Sequence, residues 1–209
     1  MLDGDLDLPP DAPGVVIFVH GSGSSRHSPR NKFVASMIRA PGLGTLLFDL
    51  LTVEEEAVDE ITKELRFDIS LLSGRLISVT QWIMSLPRTK PLRVGYFGAS
   101  TGGGAALVAA AHLGDKIGAI VSRGGRPDLA GSALQKVRSP TLLIVGAGDE
   151  VVLHLNQQAL ARMRCERELR VIAGATHLFQ EPGKLEEVAR ISADWFQRHL
   201  ASHSEEEII

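Results

Sequence analysis

Six short runs of mostly β-branched and aliphatic residues, at 15–19, 45–48, 92–97, 119–122, 141–145 and 169–172, punctuate this chain, and what lies between them decides the fold. Each run is too continuous for a strand with one face in water, which would alternate apolar and polar residues. The intervening stretches are longer and have helical spacing. Leu72, Leu76, Val79, Ile83 and Leu86 step by three and four, which puts them on one face of a helix. Strand and helix alternating in this way is the pattern of right-handed β-α-β crossovers. The expected fold is therefore α/β, an open, mostly parallel sheet of about six to seven strands with helices on both faces. Residues 2–8, where leucine alternates with aspartate, read as an added edge strand.

Nothing divides the chain further. The 209 residues hold no internal repeat, low-complexity tract or Pro/Gly/Ser linker, and suit a single domain over 1–209 with a frayed tail at about 202–209. The acidic stretch from Glu54 to Glu64 reads as a solvated helix or loop. With Lys+Arg 22 against Asp+Glu 25, the net charge of −3 lacks the basic excess of a nucleic-acid binder. Cys165 is the single cysteine and allows no intrachain disulfide; it reads as an inert packing residue. No secretion signal precedes the first strand, and no apolar run approaches the ~18 residues of a membrane helix. A soluble, cytoplasmic protein with no nucleic-acid or membrane partner is expected. Oligomeric state is not legible in the sequence.

In an open parallel sheet ligands bind beyond the carboxyl ends of the strands, so the residues that follow each strand matter most. The third buried run leads into Gly98-Ala99-Ser100-Thr101-Gly102 and then an alanine-rich helix, with serine at the apex of a sharp turn. That turn exposes the hydroxyl at the top of the sheet and aims the next amide, from a helix N-terminus, at any oxyanion formed there. A serine nucleophile needs a base, and the base needs a carboxylate to hold its tautomer. Of seven histidines, His177 alone occupies a short loop after the last buried run. Asp149 ends the preceding strand in Gly146-Ala147-Gly148-Asp149; it is either the orienting acid or a helix N-cap, and Asp128 is its rival. The first buried run ends in His20-Gly21-Ser22-Gly23. This loop suits an oxyanion hole built from the Ser22 and Thr101 amides. It also has the look of a dinucleotide loop, with Asp49 as the distal acid, although Arg26 stands where a third glycine belongs.

Together these residues resemble the α/β-hydrolases, and within them the dienelactone hydrolase-like serine hydrolases. The resemblance covers nearly the whole chain and rests on His20-Gly21-x-Gly23, Gly98-x-Ser100-x-Gly102, Val145-Gly146-x-Gly148-Asp149 and Gly174-x-Thr176-His177 in the family's order. It implies Ser100 as nucleophile, His177 as base then acid, Asp149 as its partner, and no metal or cofactor. Dienelactone hydrolases proper carry cysteine in the elbow; serine here favours general ester chemistry. The chain has room for only one of the usual leading antiparallel strands. Short connections before Asp149 leave no space for an inserted cap, so the site should be open, shaded at most by residues 52–68, where Leu65 and Phe67 either form an apolar wall or, as the favoured reading, pack onto the body of the domain.

One cluster lies outside the triad. Arg26, His27 and Arg30 follow the first buried run, and Arg123 and Arg126 follow the fourth, so both groups belong to the active-site rim. Either they are ordinary solvated charge, or they converge on a carboxylate or phosphate of the substrate, to which guanidinium offers a planar fork of donors. The sequence thus points to a serine hydrolase acting on a small ester, thioester or lactone. Peptidase or acyltransferase activity, or a silent binding module of the same fold, stands as the alternative.

Overall fold

The computed structural model describes residues 1–201 of the chain; the tail expected at 202–209 lies outside the described residues. Seven strands form one sheet: β1 (Gly4–Asp7), β2 (Gly14–Val19), β3 (Gly44–Phe48), β4 (Arg93–Ala99), β5 (Ile117–Arg123), β6 (Thr141–Gly146) and β7 (Arg167–Ile172). Their order is β1-β3-β2-β4-β5-β6-β7, with β1 antiparallel to β3 and every other pair parallel. The continuous apolar runs have their cause here. β2, β3 and β6 are buried along their whole length, because helices cover both faces.

The described residues hold six α-helices, five between strands and the last after β7: α1 (Pro29–Arg39), α2 (Val53–Thr62), α3 (Ile69–Ser85), α4 (Thr101–Leu113), α5 (Glu150–Arg162) and α6 (Lys184–Leu200). Along β2 the side chains alternate between two cores. Val16 and Phe18 join Val34, Ile38, Phe97, Val121, Ile144 and Phe196 under α1 and α6. Val15, Ile17 and Val19 join Leu72, Leu76, Ile83 and Tyr96 under α3 and α4. The helical face read from the sequence is thus the buried face of α3.

One feature differs from expectation. The run at 169–172 is not buried on both faces: β7 pairs with β6 alone, and this edge position leaves Val171 45% exposed. The acidic stretch is helix α2, opened by a capping box in which the Thr52 hydroxyl accepts the Glu55 amide and the Glu55 carboxylate accepts the Thr52 amide. Asp59 is its one buried residue. Between β5 and β6 the chain makes only 3-10 turns at Pro127–Lys136, so no cap is inserted over the carboxyl ends of the strands. No helix among the described residues is long and apolar enough to cross a membrane.

Candidate active site

Where β4 meets α4, the backbone turns at Ser100 with φ 51° and ψ −121°, a left-handed conformation that a non-glycine residue holds only under constraint. Three backbone hydrogen bonds supply it. The Ser100 amide donates to the Arg123 carbonyl at 3.2 Å, and the Ser100 carbonyl accepts from the Gly103 and Arg126 amides at 3.0 Å each. The flanking glycines are steric necessities: a Cβ on Gly102 would lie 2.1 Å from the Val19 carbonyl oxygen, and one on Gly98 would lie 2.6 Å from the Gly103 Cα. Although Ser100 occupies the N-cap of α4, its hydroxyl caps no helix amide. It is left free at the top of the sheet.

His177 sits in the loop after β7, and its Nδ1 donates to Asp149 Oδ2 at 2.6 Å. That bond leaves Nε2 as the unprotonated nitrogen of the neutral ring. Asp149 stands at the N-cap of α5 yet makes no capping bond, so the helix-cap alternative for this carboxylate does not hold. Asp128 is committed elsewhere: Arg126 grips it with Nε and Nη2 at 2.8 and 2.7 Å. The loop carrying His177 is fixed by the Thr176 amide and hydroxyl, which donate to Glu181 Oε1 at 3.1 and 2.6 Å, and by fully buried Phe179. Gly124, next to the residue that holds the Ser100 amide, lies against the imidazole; a Cβ there would come 3.4 Å from Nδ1. One residue pair, 123–124, thus links serine elbow and histidine ring.

Ser22 and Thr101 lie together, but not in the simplest way. The Ser22 amide donates to the Thr101 hydroxyl at 2.9 Å, while the Thr101 amide begins α4 and has no intrahelical acceptor. The loop that presents Ser22 is braced by His20, a member of the loop motif to which the sequence assigned no bracing role. Buried His20 accepts the Leu50 amide on Nε2 at 3.0 Å and turns Nδ1 to the Gly21 carbonyl at 3.0 Å. Burial pushes this imidazole below its ordinary pKa, which keeps the acceptor nitrogen free of a proton. Beside the two amides lies a small recess of about 20 Å³, walled by Leu50, Leu51 and Leu72 together with Glu56, Asp59 and Arg66. Of the two readings of Leu65 and Phe67, the apolar wall does not hold. Phe67 is 56% exposed and neither it nor Leu65 lines the recess; Arg66 between them is held by Asp59 through Nε at 2.5 Å.

The four rim arginines separate into two pairs. Arg26 ties the loop after β2 to Asp49, through its amide at 2.7 Å and its guanidinium, with Asp3 and Asp5 each 3.7 Å away. Asp49 is consequently not free to hold a ribose, which removes the second half of the dinucleotide pattern. Arg126 is occupied by Asp128. Arg30 and Arg123 form no ion pair among the described residues, and both leave buried guanidinium nitrogens without a partner.

Comparison with known proteins places this geometry. The model of the Dienelactone hydrolase family matches residues 2–202. A dienelactone hydrolase from Anabaena variabilis superposes with a TM-score of 0.94 at 55% identity, covering 95% of this chain and 92% of that one. Est1E from Butyrivibrio proteoclasticus, solved with ferulic acid bound, has a TM-score of 0.80 at 18% identity, covering 96% of both chains. An α/β serine hydrolase without lid from Xanthomonas campestris has a TM-score of 0.76 at 23% identity, covering 96% of this chain and 90% of that one. The last two share the fold. A curated relative, "Putative phosphoribosyl transferase" of Mycobacterium tuberculosis, is 57% identical over 197 residues, which are 94% of this chain but 44% of the relative. This chain thus spans less than half the length of that protein. It belongs to the dienelactone hydrolase family.

Proposed function

We propose that this member of the dienelactone hydrolase family cleaves a small ester, thioester or lactone through an acyl-enzyme on Ser100. The observation that carries the reading is the 2.6 Å bond from His177 to an aspartate that stands at a helix N-cap without capping it, together with a serine at another N-cap that does likewise. Such a bond has a use if the imidazole must become a cation.

In this reading the Ser100 hydroxyl attacks the substrate carbonyl and passes its proton to His177 Nε2, while Asp149 stabilises the imidazolium through Nδ1. The oxygen of the tetrahedral intermediate takes the Thr101 amide and the Ser22 amide, the latter exchanging the Thr101 hydroxyl for the oxyanion. Collapse breaks the bond to the leaving oxygen or sulfur, which departs with the proton from His177. Water then gives its proton to the same nitrogen, adds to the acyl group and releases the acid with Ser100 restored. No step calls for a metal or cofactor. The uncovered rim supports a small substrate and admits water for the second half-reaction. The phosphoribosyl transferase name belongs to a longer protein, and we assign hydrolysis to the part that this chain shares with it.

A fluorophosphonate probe with mass spectrometry, and a panel of p-nitrophenyl esters of varied acyl length, test the proposal. One adduct on Ser100, lost together with ester turnover in Ser100→Ala, is the expected result. Labelling elsewhere overturns it. Peptide cleavage or acyl transfer without ester hydrolysis moves the activity to another use of the same triad, and neither labelling nor turnover makes the chain a binding module.

A further inference from the structure

The sheet stops at two strands, β1 and β7, and their outer edges differ in what can be added to them. In a strand the N–H and C=O of one residue point to the same side, and those of the next residue point to the other. Along β7 the carbonyls of Glu166 and Ile172 turn inward, where they accept the Thr141 and Ala147 amides of the β6 side at 2.9 Å each. By alternation the backbone groups of Arg167, Leu169 and Val171 turn outward, past the end of the sheet. Such a row is a template for another strand. On the α6 face, Glu168 and Arg170 border an open groove of about 280 Å³, and Val171 beside them is half-exposed.

A second copy of β7 can lie antiparallel to the first only where outward residues meet outward residues, and charge chooses among the registers that remain. Centred on Glu168, a two-fold pairing sets glutamate against glutamate. Centred on Arg170, it sets arginine against arginine. Centred on Leu169, it sets each Glu168 opposite Arg170 of the other copy, and each Arg167 opposite Val171, whose apolar surface the arginine stem can cover. Arg167, Leu169 and Val171 then take the hydrogen-bonded positions, and Glu168 and Arg170 take the positions where opposed side chains stand closest. The β1 edge excludes any such match. Asp3 just before it, and Asp5 and Asp7 within it, are each more than half exposed. They alternate along the chain, so every antiparallel self-pairing of that edge opposes aspartate to aspartate.

We propose that β7 is an interaction surface for a second copy of this chain, paired antiparallel about a two-fold axis at Leu169 and held in register by Glu168–Arg170 pairs across that axis. The occupant is the chain itself because the pattern of charge on this edge is complementary to its own reverse. One sheet then runs through both copies, with the repelling β1 edge at each outer end. The paired strand leads into the loop of His177, whose Ala175 amide donates to the Ile172 carbonyl at 3.3 Å, so the dimer restrains that loop at its root. The proposal is independent of the hydrolase reading, since edge pairing needs no turnover. In a single chain Glu168 and Arg170 form an ion pair with each other along the strand, and charges that merely guard a solitary edge are the competing arrangement.

Exchanging the charges tests the surface on the full chain. Sedimentation equilibrium over a wide range of concentration should return the mass of two chains for the wild type. Glu168→Arg opposes arginine to arginine, and Arg170→Glu opposes glutamate to glutamate. Either should weaken the dimer about tenfold or more, because attraction becomes repulsion at two symmetric positions. Mixing the two single variants should restore association as a heterodimer in which every charge again faces its opposite, and the double variant Glu168→Arg/Arg170→Glu should dimerise by itself. These rescues separate a lost contact from a failure to fold. Asp5→Asn, on the other edge, should leave the mass as it is. In the wild-type dimer the Leu169 and Val171 amides should exchange with solvent more slowly than in Arg170→Glu. A wild type that stays a single chain at every concentration overturns the proposal and leaves the two charges as guards of the edge. A dimer that neither single variant weakens, that mixing fails to restore, that Asp5→Asn dissociates, or whose Leu169 and Val171 amides exchange as fast as in Arg170→Glu overturns it equally.

Discussion

Five of the six α-helices among the described residues begin at a serine, threonine or aspartate, and these ends behave in two ways. At α1, α2 and α3 the side chains of Ser28, Thr52 and Asp68 accept the Asn31, Glu55 and Leu71 amides, as N-cap residues ordinarily do. At α4 and α5, Ser100 and Asp149 have the same chemistry and position and make no such bond. The two uncapped ends are the two that face His177 or its elbow. A fold normally uses every polar group at a helix start to quiet orphan amides. A site needs those same groups kept out of structural duty, so an N-cap residue that does not cap is itself a sign of function.

The sharpest way to break this comparison is to neutralise one residue of the second kind. Asp149→Asn should leave the melting temperature within a degree or two of wild type, since no cap is lost, while kcat for ester hydrolysis falls on the order of 10⁴-fold. Thermal unfolding and stopped-flow turnover measured on one preparation decide it; a large loss of stability with modest loss of activity would make Asp149 a structural residue. The converse variant is Asp68→Ala, at an end that does cap. It should destabilise by roughly 1 kcal/mol in urea titration and keep the ratio of kcat between substrates.

Acid separates the two kinds of end as well. Arg75, and then the Thr52 amide, hold the Glu55 carboxylate down to about 2 from an ordinary value of 4.5. A carboxylate depressed on folding contributes stability that is present above its unfolded value and is lost as pH falls through the folded one. The capping box of α2 should therefore weaken between about pH 4.5 and 2, and Glu55→Gln should flatten that part of the stability profile, read by circular dichroism. Screening by water makes this a small effect, because the Glu55 side chain is about a third exposed. Smallest of all is Asp128→Asn. It frees Arg126 but touches neither serine nor imidazole, and turnover should change less than twofold.

Much of this was legible in the sequence where the signal is local. The elbow glycines announce Ser100, because a turn that tight excludes Cβ atoms within the same five residues. His177 follows from its place after a strand. The choice between Asp149 and Asp128 was not local: both follow a strand, and it is the bond from His177, 28 residues further along the chain, that singles out Asp149. Arg26 was likewise unreadable, since its partners Asp49, Asp5 and Asp3 come from two other strand ends. The bracing of His20 by the Leu50 amide spans 30 residues and left no pattern in the chain. Strand order explains the last miss. A run of apolar residues does not say whether its strand will have one neighbour or two, and β7 has one.

The left-handed turn at Ser100 carries a consequence for durability. A non-glycine residue held there raises the energy of the folded state by about 1–3 kcal/mol, a burden that the nucleophile role proposed for Ser100 would justify. Ser100→Gly should consequently survive heating better than the active enzyme while hydrolysing nothing. Selection for heat tolerance alone would drive this position toward glycine, so a culture screened for robust protein without an activity check would enrich inert copies.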